Sequence, residues 1–322
     1  MQEVFQRYGE DLNKVEECME TWLRSDILLI PQIIRHIIGS GGKRFRPLLL
    51  LAAADLCGCR EERRYNMSVV IEFLHTATLL HDDVIDNADL RRGKVSANNI
   101  WGNAASVLVG DFLYSTAFKL MTADGDLAVM KLLSQTTNTM SEGEIFQLVK
   151  CGNIDLTEND YLAIIEMKTS ILISAACALG GLLGKATDAQ VEALAGFGLR
   201  LGSAFQITDD TLDYVAREEE FGKAIGKDLA EGKITLPLIY ALKQCSAPEK
   251  KLVERAVQQQ EEGEQALTEI MTMIRVHNGV DYALSKAKAF IDEGRELLHI
   301  FPESEAKTAL QTISGYVIER RL

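Results

Sequence analysis

Prolines interrupt the 322-residue chain only five times, at Pro31, Pro47, Pro237, Pro248 and Pro302. Because proline in a helix interior removes a hydrogen bond and clashes with the preceding turn, its scarcity leaves long stretches in which helices can run unbroken. Alanine, leucine, glutamate and lysine are frequent there and favour helices, whereas the period-two alternation typical of strands is almost absent. The sequence therefore predicts an all-α fold built around a helical bundle.

The predicted helices follow one another without an internal repeat, a low-complexity segment or a Pro/Ser-rich linker. Apolar residues make up 47% of the chain, enough for a large core, and several helices are apolar on most sides, as interior helices are. We therefore expect residues 1–322 to form a single domain. The expected helices cover residues 3–25, 48–57, 66–85, 101 or 104–121, 127–150, 157–183, 188–214, 236–244, 248–262 and two C-terminal stretches.

The charge and the cysteines limit the class of protein. A net charge of −13 disfavours binding to nucleic acid, because nucleic-acid-binding proteins present a basic face. Six cysteines are scattered without the spacing of a disulfide framework, so we expect reduced, mostly buried thiols. The polar, acidic N-terminus is unlike a signal peptide, and the longest apolar run, 171–184, is shorter than the roughly 20 residues that cross a bilayer. We expect a cytoplasmic protein with no transmembrane segment.

The strongest chemical signal is the acidic segment Asp82-Asp83-Val84-Ile85-Asp86, at the end of a predicted apolar helix. On a helix, Asp82 and Asp86 lie one turn apart on the same face, with Asp83 beside them. Three carboxylates at a helix C-terminus repel one another and oppose the helix dipole, so a cation is needed to compensate them. Mg²⁺ suits this position because it binds a few carboxylates and keeps other positions for water and phosphate oxygens. A solvated acidic helix end is the alternative for one such motif alone.

A second acidic segment, Asp209-Asp210-Thr211-Leu212-Asp213, repeats the same spacing at the end of another apolar helix. Two such motifs facing each other could hold several metal ions around one diphosphate. A chance pair is much less probable than a single chance motif. The second motif therefore strengthens the prediction of a metal site.

Basic residues lie close in sequence to both acidic motifs. Arg91 and Arg92 follow the first motif, and Lys168 with Thr169 interrupts an apolar helix, where an ammonium group needs a partner. A glycine-rich turn beside a helix start favours phosphate binding. Each basic residue alone is more often ordinary surface charge, but their joint placement predicts a diphosphate site. The remaining basic residues of interest are Lys43, Arg44, Arg46, Lys223 and Lys233.

Between about residues 39 and 237, the order and spacing of several motifs resemble the trans-isoprenyl diphosphate synthases, or polyprenyl synthetase family, and most closely its long-chain octaprenyl members. The resemblance implies an isoprenoid synthase bundle with a central active-site cavity. It also implies condensation of isopentenyl diphosphate with an allylic diphosphate, farnesyl diphosphate above all, aided by several Mg²⁺ ions that Mn²⁺ can replace. The motifs are GGKRFRP, LLHDDVID, RRG, Gly110-Asp111, Lys168-Thr169, FQITDD and GKDLAEGKITLP.

The resemblance also implies a role for each matching residue. The implied metal ligands are Asp82, Asp83, Asp86, Asp209, Asp210 and Asp213. The implied ligands of the allylic diphosphate are Arg91, Lys168, Lys223 and Lys233. The implied ligands of isopentenyl diphosphate are Lys43, Arg46, His75 and Arg92, with Phe205 near its hydrocarbon end. Oxygen atoms at Lys168, Thr169 and Gln206 would face the developing allylic carbocation.

Two of these positions stay open. From the residues alone, a hydrogen-bonded core histidine is the preferred interpretation of His75. Lys227 stands where relatives often carry an acidic residue, so an outer metal role for Asp228 is left undecided.

The length of the product is predicted from small residues upstream of the first motif. Ala77 and Thr78 lie about 6–7.5 Å along the helix axis from Asp82, where short-chain relatives carry bulky aromatic residues that block the product tunnel. The sequence therefore predicts a long product, about C40, typical of a respiratory quinone side chain. Met121, with Leu120 or Leu133, could form the tunnel floor. Close helix packing is the alternative explanation for the small residues.

Other functions remain as alternatives. A synthase of short C15–C20 products would keep the same chemistry. A non-catalytic helical partner subunit is the alternative from a different class, although such subunits tend to lose the aspartates. A terpene cyclase would lack the second basic pocket, and a di-iron bundle would need Glu-x-x-His pairs on facing helices. The family resemblance further implies a homodimer.

Overall fold

The computed structural model describes residues 1–39, 44–215, 226–257 and 264–319. Most of these residues are helical, which confirms the predicted all-α fold. In chain order the helices are α1 Gln2–Trp22, α2 Leu29–Ile38, α3 Phe45–Leu56, α4 Arg63–Ile85, α5 Ala97–Trp101, α6 Asn103–Asp124, α7 Leu127–Lys150, α8 Glu158–Ile165, α9 Ile171–Leu183, α10 Asp188–Val215, α11 Lys227–Ala230, α12 Leu236–Leu242, α13 Ala247–Val257, α14 Glu264–Val276, α15 Gly279–Leu297 and α16 Glu305–Glu319.

Three short elements complete the described chain. Strands β1 (Leu90–Arg91) and β2 (Lys94–Val95) form an antiparallel hairpin. A π-helical turn, Glu166–Ser170, lies between α8 and α9, and a 3₁₀ turn, Leu298–Ile300, follows α15.

The predicted helix bounds differ from the structure where local signals are weak. Helix α7 has the predicted bounds, but α2 was missed because it is short and Pro31 lies in its first turn, where proline is tolerated. The predicted helix 157–183 is interrupted by the π-helical turn. After residue 263 the described chain has three helices, not two.

The described residues pack into two compact units, each assembled from separated stretches of chain. Unit 1 comprises Met1–Thr137, Leu172–Gly198 and Leu297–Ile313. Unit 2 comprises Asn138–Ile171, Leu199–Glu296 and Ser314–Leu322. Because residues of α7 and α10 belong to both units, neither unit is a continuous segment of sequence. A single domain over the whole chain stays a prediction.

The core of unit 1 is formed by helices that are apolar on nearly every side. Residues Pro47–Ala54 of α3 are all buried, and α4 buries Met67, Phe73 and Leu74 completely. Helix α9 packs directly on α3, since a Cβ added at Gly180 would lie 2.6 Å from the Ala53 Cβ. Burial on this scale explains why these helices carry almost no charge along their middle turns.

The core of unit 2 contains polar pairs as well as apolar contacts. The buried Tyr214 hydroxyl lies 2.8 Å from Thr235 Oγ1, joining the end of α10 to the residue before α12. At the start of α8, Glu158 accepts hydrogen bonds of 2.9 Å from the Tyr282 hydroxyl of α15. Tyr282 in turn stacks on Tyr240, with the ring centroids 4.0 Å apart. These contacts connect α8, α10, α12 and α15.

The six cysteines are free, as predicted, but the expectation that most are buried is wrong. Only Cys59 and Cys177 are buried, and Cys151 is exposed. Cys151 lies in the turn after α7, where its Sγ donates to the Glu231 carbonyl at 3.2 Å. The sequence around Cys151 therefore did not show that its side chain is exposed at the end of α7.

One helical segment of the described chain, Glu158–Leu183, is long and apolar enough by composition to cross a membrane, with a mean hydropathy of 1.7. It is longer than the predicted run 171–184, because α8, the π-helical turn and α9 are continuous. In the structure 61% of this segment's apolar window is buried, as in the core helix of a globular protein.

Candidate active site

The last turn of α4 carries the first aspartate motif, and the local sequence explains why the helix ends there. Asn87 adopts the left-handed conformation, with φ of 47°. The Ala88 amide donates to the Asp83 carbonyl at 2.9 Å, and the Asn87 amide donates to the Val84 carbonyl at 3.3 Å. These bonds form a Schellman motif, whose left-handed residue is usually glycine and sometimes asparagine. The helix therefore stops with Asp86 as its C-cap.

The three carboxylates of this motif do not have the same environment. Asp83 is buried, and its Oδ1 accepts two hydrogen bonds from Arg91, one from Nε at 2.8 Å and one from Nη2. Asp82 and Asp86 are half-buried, one turn apart. The guanidinium group of Arg91 therefore compensates the charge of Asp83 inside the protein, and metal binding by this motif stays a prediction.

The β1–β2 hairpin explains the Arg-Arg-Gly motif. Leu90 pairs with Val95 and Arg91 with Lys94, which leaves a loop of two residues, Arg92 and Gly93. Both have positive φ, 52° and 77°, as a type I′ turn requires. The hairpin thereby holds Arg91 on Asp83 and places Arg92 at an exposed tip.

The other side of the motif is held by helix α6. A Cβ added at Gly110 would lie 2.3 Å from His81 Nε2, so the His81 ring can occupy its present position only while residue 110 has no side chain. The same ring nitrogen lies 3.2 Å from the Val107 carbonyl oxygen and 3.4 Å from Asp111 Oδ1. The Gly110-Asp111 pair of the sequence therefore positions the residue that precedes Asp82.

Three residues expected to bind isopentenyl diphosphate, Arg46, His75 and Arg92, interact electrostatically in unit 1. Burial and the nearby charges of Arg46 and Arg92 lower the pKa of His75 well below its usual value. The ring is therefore neutral at pH 7. Arg44 and Glu72 belong to the same cluster, with Arg44 Nη1 3.5 Å from Glu72 Oε1, although sequence reasoning gave Glu72 no role.

This cluster carries more positive than negative charge. Although Arg92 lies at the exposed hairpin tip, partial desolvation of its guanidinium group lowers its pKa, and so do the like charges of Arg91 and Arg44, while Glu72 opposes them. Burial in turn raises the pKa of Glu72. Guanidinium groups bind phosphate in a bidentate manner, so an anion would relieve their mutual repulsion. Carboxylates and phosphates are the anions that guanidinium groups bind in this manner.

In unit 2, the π-helical turn carries Lys168 and Thr169. A π-helical turn changes the direction in which side chains point and is frequent at functional sites. Lys168 Nζ forms an ion pair of 2.7 Å with Glu144 Oε2. The charge on this otherwise apolar helix thus has a partner, as the sequence required.

The side chain of Thr169 begins a chain of hydrogen bonds in unit 2. Thr169 Oγ1 donates to Gln206 Oε1 at 3.0 Å, and Gln206 Nε2 donates to Asp210 Oδ1 at 2.7 Å. The Tyr161 hydroxyl donates to Asp210 Oδ2 at 2.6 Å. Both oxygens of Asp210 therefore have protein partners, which compete with its expected role as a metal ligand. Burial raises the pKa of Asp210 to about 6, against the effect of these hydrogen bonds.

The rest of the second motif lies beside residues that follow α10. Asp209 and Asp213 are half-buried, and Asp213 Oδ2 accepts a hydrogen bond of 3.1 Å from the Asp228 amide. Burial, together with the charges of Asp210 and Asp213, raises the pKa of Asp228 well above its usual value. Asp228 thus lies beside this group of carboxylates, and its outer metal role stays open. Lys233 pairs with Glu231 at 2.7 Å and lowers the pKa of Asp210 and Asp228.

The aspartates supply the hard oxygen donors that Mg²⁺ prefers. Asp83 Oδ2 is buried and has no hydrogen-bond partner within the part of the chain that the structure describes. In that same part, no three Asp, Glu, His or Cys side chains lie close enough to hold an ion by themselves. Since Mg²⁺ usually takes one or two carboxylates and completes its shell with water and phosphate oxygens, these residues fit an ion that binds together with a diphosphate.

The residues expected to set product length differ in exposure. Ala77 is completely buried, whereas Thr78 is half-buried, as Asp82 is one turn further on. Met121 and Leu120 are buried near the end of α6, and Leu120 lines a pocket of about 590 Å³ in unit 1. The product-length roles stay predictions, with Thr78 better placed than Ala77 to contact a substrate chain.

Phe205 is half-buried in α10, next to Gln206. Two predicted ligands, Lys43 and Lys223, lie outside the described residues. Tyr161 and Glu144 were missed by sequence reasoning because neither belongs to a charged or repeated motif.

Comparison with known proteins gives an independent result. The sequence model of the family described as "Polyprenyl synthetase" matches residues 28–274. An octaprenyl diphosphate synthase from Haemophilus influenzae is 39% identical over 310 residues, which are 96% of this chain and 94% of the relative.

Two solved structures are similar over nearly their whole length. A decaprenyl diphosphate synthase from Rhodobacter capsulatus has a TM-score of 0.95 and 38% identity, covering 99% of this chain and 98% of that one. A polyprenyl synthase from Caulobacter crescentus, complexed with calcium and isoprenyl diphosphate, has the same TM-score and identity, covering 99% and 97%. The fold that this chain shares with these structures, the nearly complete alignment and the order of the motifs all indicate the same family. The chain belongs to the polyprenyl synthetase family, whose members have the all-α isoprenoid synthase fold.

Proposed function

We propose that this prenyltransferase condenses isopentenyl diphosphate with an allylic diphosphate, preferably farnesyl diphosphate, to give an all-trans polyprenyl diphosphate of about C40. The observation that carries the proposal is the presence of two complete aspartate motifs, each at the end of a buried helix and each accompanied by cations. Arg91 contacts the first motif, and Lys233 acts electrostatically on the second. A long product agrees with the octaprenyl and decaprenyl products named for similar proteins.

In the proposed mechanism, unit 1 supplies Asp82, Asp83 and Asp86 for Mg²⁺. When bound, Mg²⁺ would neutralise charge on the departing diphosphate. A structural relative was solved with calcium, which supports a divalent-cation site without deciding between metals. Asp209 and Asp213 would supply further carboxylate oxygens in unit 2. Mn²⁺ would support the reaction in place of Mg²⁺.

The cations of the site would hold the two diphosphates. Arg91, Lys168 and Lys233 would bind the allylic diphosphate, and each has a carboxylate partner in the structure that a diphosphate would replace or share. Arg46, Arg92 and neutral His75 would bind isopentenyl diphosphate. As the allylic carbon–oxygen bond breaks, oxygens at Lys168, Thr169 and Gln206 would face the developing positive charge. The alkene then attacks, and the proton that is lost passes to the leaving diphosphate.

Single substitutions in the aspartate motifs test this function. Asp82→Asn and Asp209→Asn should each lower incorporation of labelled isopentenyl diphosphate about 100-fold, because each removes charge where the transition state needs a cation. Asp155→Asn is the matched control, since Asp155 is an exposed carboxylate whose partner is the surface residue Lys250. Normal activity in both motif variants would contradict the proposal.

A homodimer is proposed from an exposed apolar face in unit 1. Leu108 of α6 is 67% exposed, and Val107 and Ile100 beside it are also exposed. Large exposed apolar patches usually mark interfaces. Light scattering should give twice the chain mass, and Leu108→Glu should shift the protein toward monomer. A wild-type monomer at micromolar concentration would contradict this.

The product is proposed to become the side chain of a respiratory quinone made in the cytoplasm. Cells lacking this chain should lose their long-chain quinone, and fractionation should place the protein in the cytosol. An unchanged quinone pool would contradict the proposed use of the product, and recovery of the protein with membranes would contradict the proposed cytoplasmic location.

A non-catalytic partner subunit is the alternative function, and it predicts no incorporation of isopentenyl diphosphate by the purified chain with any allylic primer.

A further inference from the structure

The hydrogen bonds around Asp210 have a direction that the chemistry of the groups fixes. An ionised carboxylate can only accept hydrogen bonds, so the Gln206 side chain must turn its NH₂ group toward Asp210. The Gln206 carbonyl oxygen then faces Thr169, whose hydroxyl has one hydrogen and donates it there. The lone pairs of Thr169 Oγ1 are left for whatever approaches that oxygen.

Tyr161 fixes the start of this chain of bonds. Its hydroxyl donates to the second oxygen of Asp210 at 2.6 Å, in a buried position. Because each oxygen of Asp210 accepts a hydrogen bond, from Tyr161 or from Gln206, the orientation of the carboxylate plane is fixed.

The backbone around the chain of bonds is equally constrained. A Cβ added at Gly202 would lie 2.5 Å from the Ser170 Cα, so α10 and the π-helical turn are in direct contact. Ser170 Oγ lies 3.2 Å from Ser203 Oγ at the same contact. The backbones that carry Thr169 and Gln206 are therefore held close together at this contact.

We propose that Tyr161 is a positioning residue for prenyl transfer: through Asp210 and Gln206 it fixes the Thr169 hydroxyl with its lone pairs toward the allylic carbocation. The four side chains form one relay, Tyr161–Asp210–Gln206–Thr169, that presents an oxygen dipole with its negative end to the reacting carbon. Such an oriented dipole stabilises charge that exists only in the transition state. This inference rests on the proposed role of Thr169 and Gln206.

The first test is Tyr161→Phe, which removes one hydroxyl and keeps the ring. Because the relay acts on charge that develops during the reaction, kcat should fall about tenfold, while KM for both substrates changes less than about twofold. Tyr65→Phe is the matched control, because the buried Tyr65 also donates to a carboxylate, Asp11, at 2.6 Å. Its kcat should stay within about twofold of the wild type, and circular dichroism should show both variants folded.

The decisive test repeats Tyr161→Phe in a Thr169→Val background. If Tyr161 acts through Thr169, the second substitution should lower kcat less than about twofold further, since residues of one network are not additive. A further tenfold loss in that background would overturn the relay, because it would show that Tyr161 acts on activity by another route. An unchanged kcat for Tyr161→Phe, or a change confined to KM, would also overturn it.

The two proposals can fail separately. If Thr169→Val alone leaves kcat unchanged, the proposed role of Thr169 is wrong and the relay with it. If Thr169→Val lowers kcat but the Tyr161→Phe effect is independent of it, only the relay is wrong.

Discussion

At the scale of single residues, the cations of the candidate site are held by carboxylates. Arg91 binds Asp83, Lys168 pairs with Glu144 and Lys233 pairs with Glu231. Each pair lies within one unit and keeps a long side chain in a defined position. Substrate binding would then exchange one anion for another instead of ordering free side chains, which reduces the entropy that binding costs.

His75 makes the stability of the protein depend on pH. The folded-state pKa of His75 is lowered below its ordinary value near 6.5, mainly by burial. As pH falls through about 6.5, the unfolded chain gains a proton at this ring that the folded chain does not, so the free energy of unfolding decreases. We expect the melting temperature of the wild type to fall more between pH 7 and pH 5 than that of His75→Gln. Parallel melting curves for the two proteins would contradict the buried neutral ring.

Residue types and spacing were enough to predict the carboxylates and most cations of the site. They were not enough to predict their partners. Tyr161 and Asp210 are far apart in sequence, and a tyrosine in an apolar helix resembles any core residue. Similarly, the sequence did not show that Asp83 points inward to Arg91 while Asp82 and Asp86 are half-buried, since this depends on the hairpin that follows.

At the scale of secondary-structure elements, the contact between α4 and α6 sets the position of the first motif. His81 of α4 lies against Gly110 of α6, in a space that no side chain could share. The helix end is fixed from the other direction by the Schellman turn at Asn87 and by the bond between Arg91 and Asp83. The aspartates are therefore presented by a turn that is held on both sides.

Gly110→Ala tests this arrangement. The added Cβ would meet His81 Nε2 at 2.3 Å, so the His81 ring should move away from the Val107 carbonyl and Asp111, and the Mg²⁺ concentration for half-maximal activity should rise about tenfold. Gly9→Ala is the control, because in helix α1 no described atom outside that helix lies within 4 Å of the added Cβ. An unchanged Mg²⁺ dependence in Gly110→Ala, with normal folding, would show that α6 does not position the motif.

Element boundaries were predictable where turn residues are explicit. The Arg-Arg-Gly sequence fits the two-residue loop of the hairpin, although the pairing of β1 with β2 was not predicted from the sequence. The π-helical turn at Glu166–Ser170 has no sequence signal of its own, because its residues would fit an α-helix as well. It follows from the packing of neighbouring helices, including the contact at Gly202.

At the scale of the whole molecule, product length depends on which residues border the growing chain. Ala77 has no exposed surface and fits the alternative of close helix packing, so a tyrosine there would overpack the core. Thr78 is half-buried on the face that also carries Asp82. The small residues upstream of the motif thus differ in exposure, which sequence position alone does not show.

Thr78→Tyr should shorten the product to C15–C20 without abolishing condensation, because the phenol ring would block the path one turn below Asp82. Chromatography of the dephosphorylated products measures this. Thr122→Tyr, at an exposed position of α6, is the control and should keep the wild-type product length. Wild-type products from Thr78→Tyr would show that the chain does not pass this face of α4.

The all-α fold was predictable from proline scarcity and helical patterning, whereas the family and the reaction class followed from the resemblance of the ordered motifs to the polyprenyl synthetases. The division into two units was not predictable, because each unit joins three stretches that are distant in sequence. Product length was only partly predictable, since it depends on side-chain exposure within α4.

The most direct test of the account is incubation of the purified chain with labelled isopentenyl diphosphate, farnesyl diphosphate and Mg²⁺, followed by separation of the products by length. We predict products near C40 that disappear when the divalent cations are chelated. Products that stop at C15 or C20 would contradict the proposed chain length while keeping the reaction. No incorporation with any allylic primer would contradict the proposal that this chain is catalytic by itself.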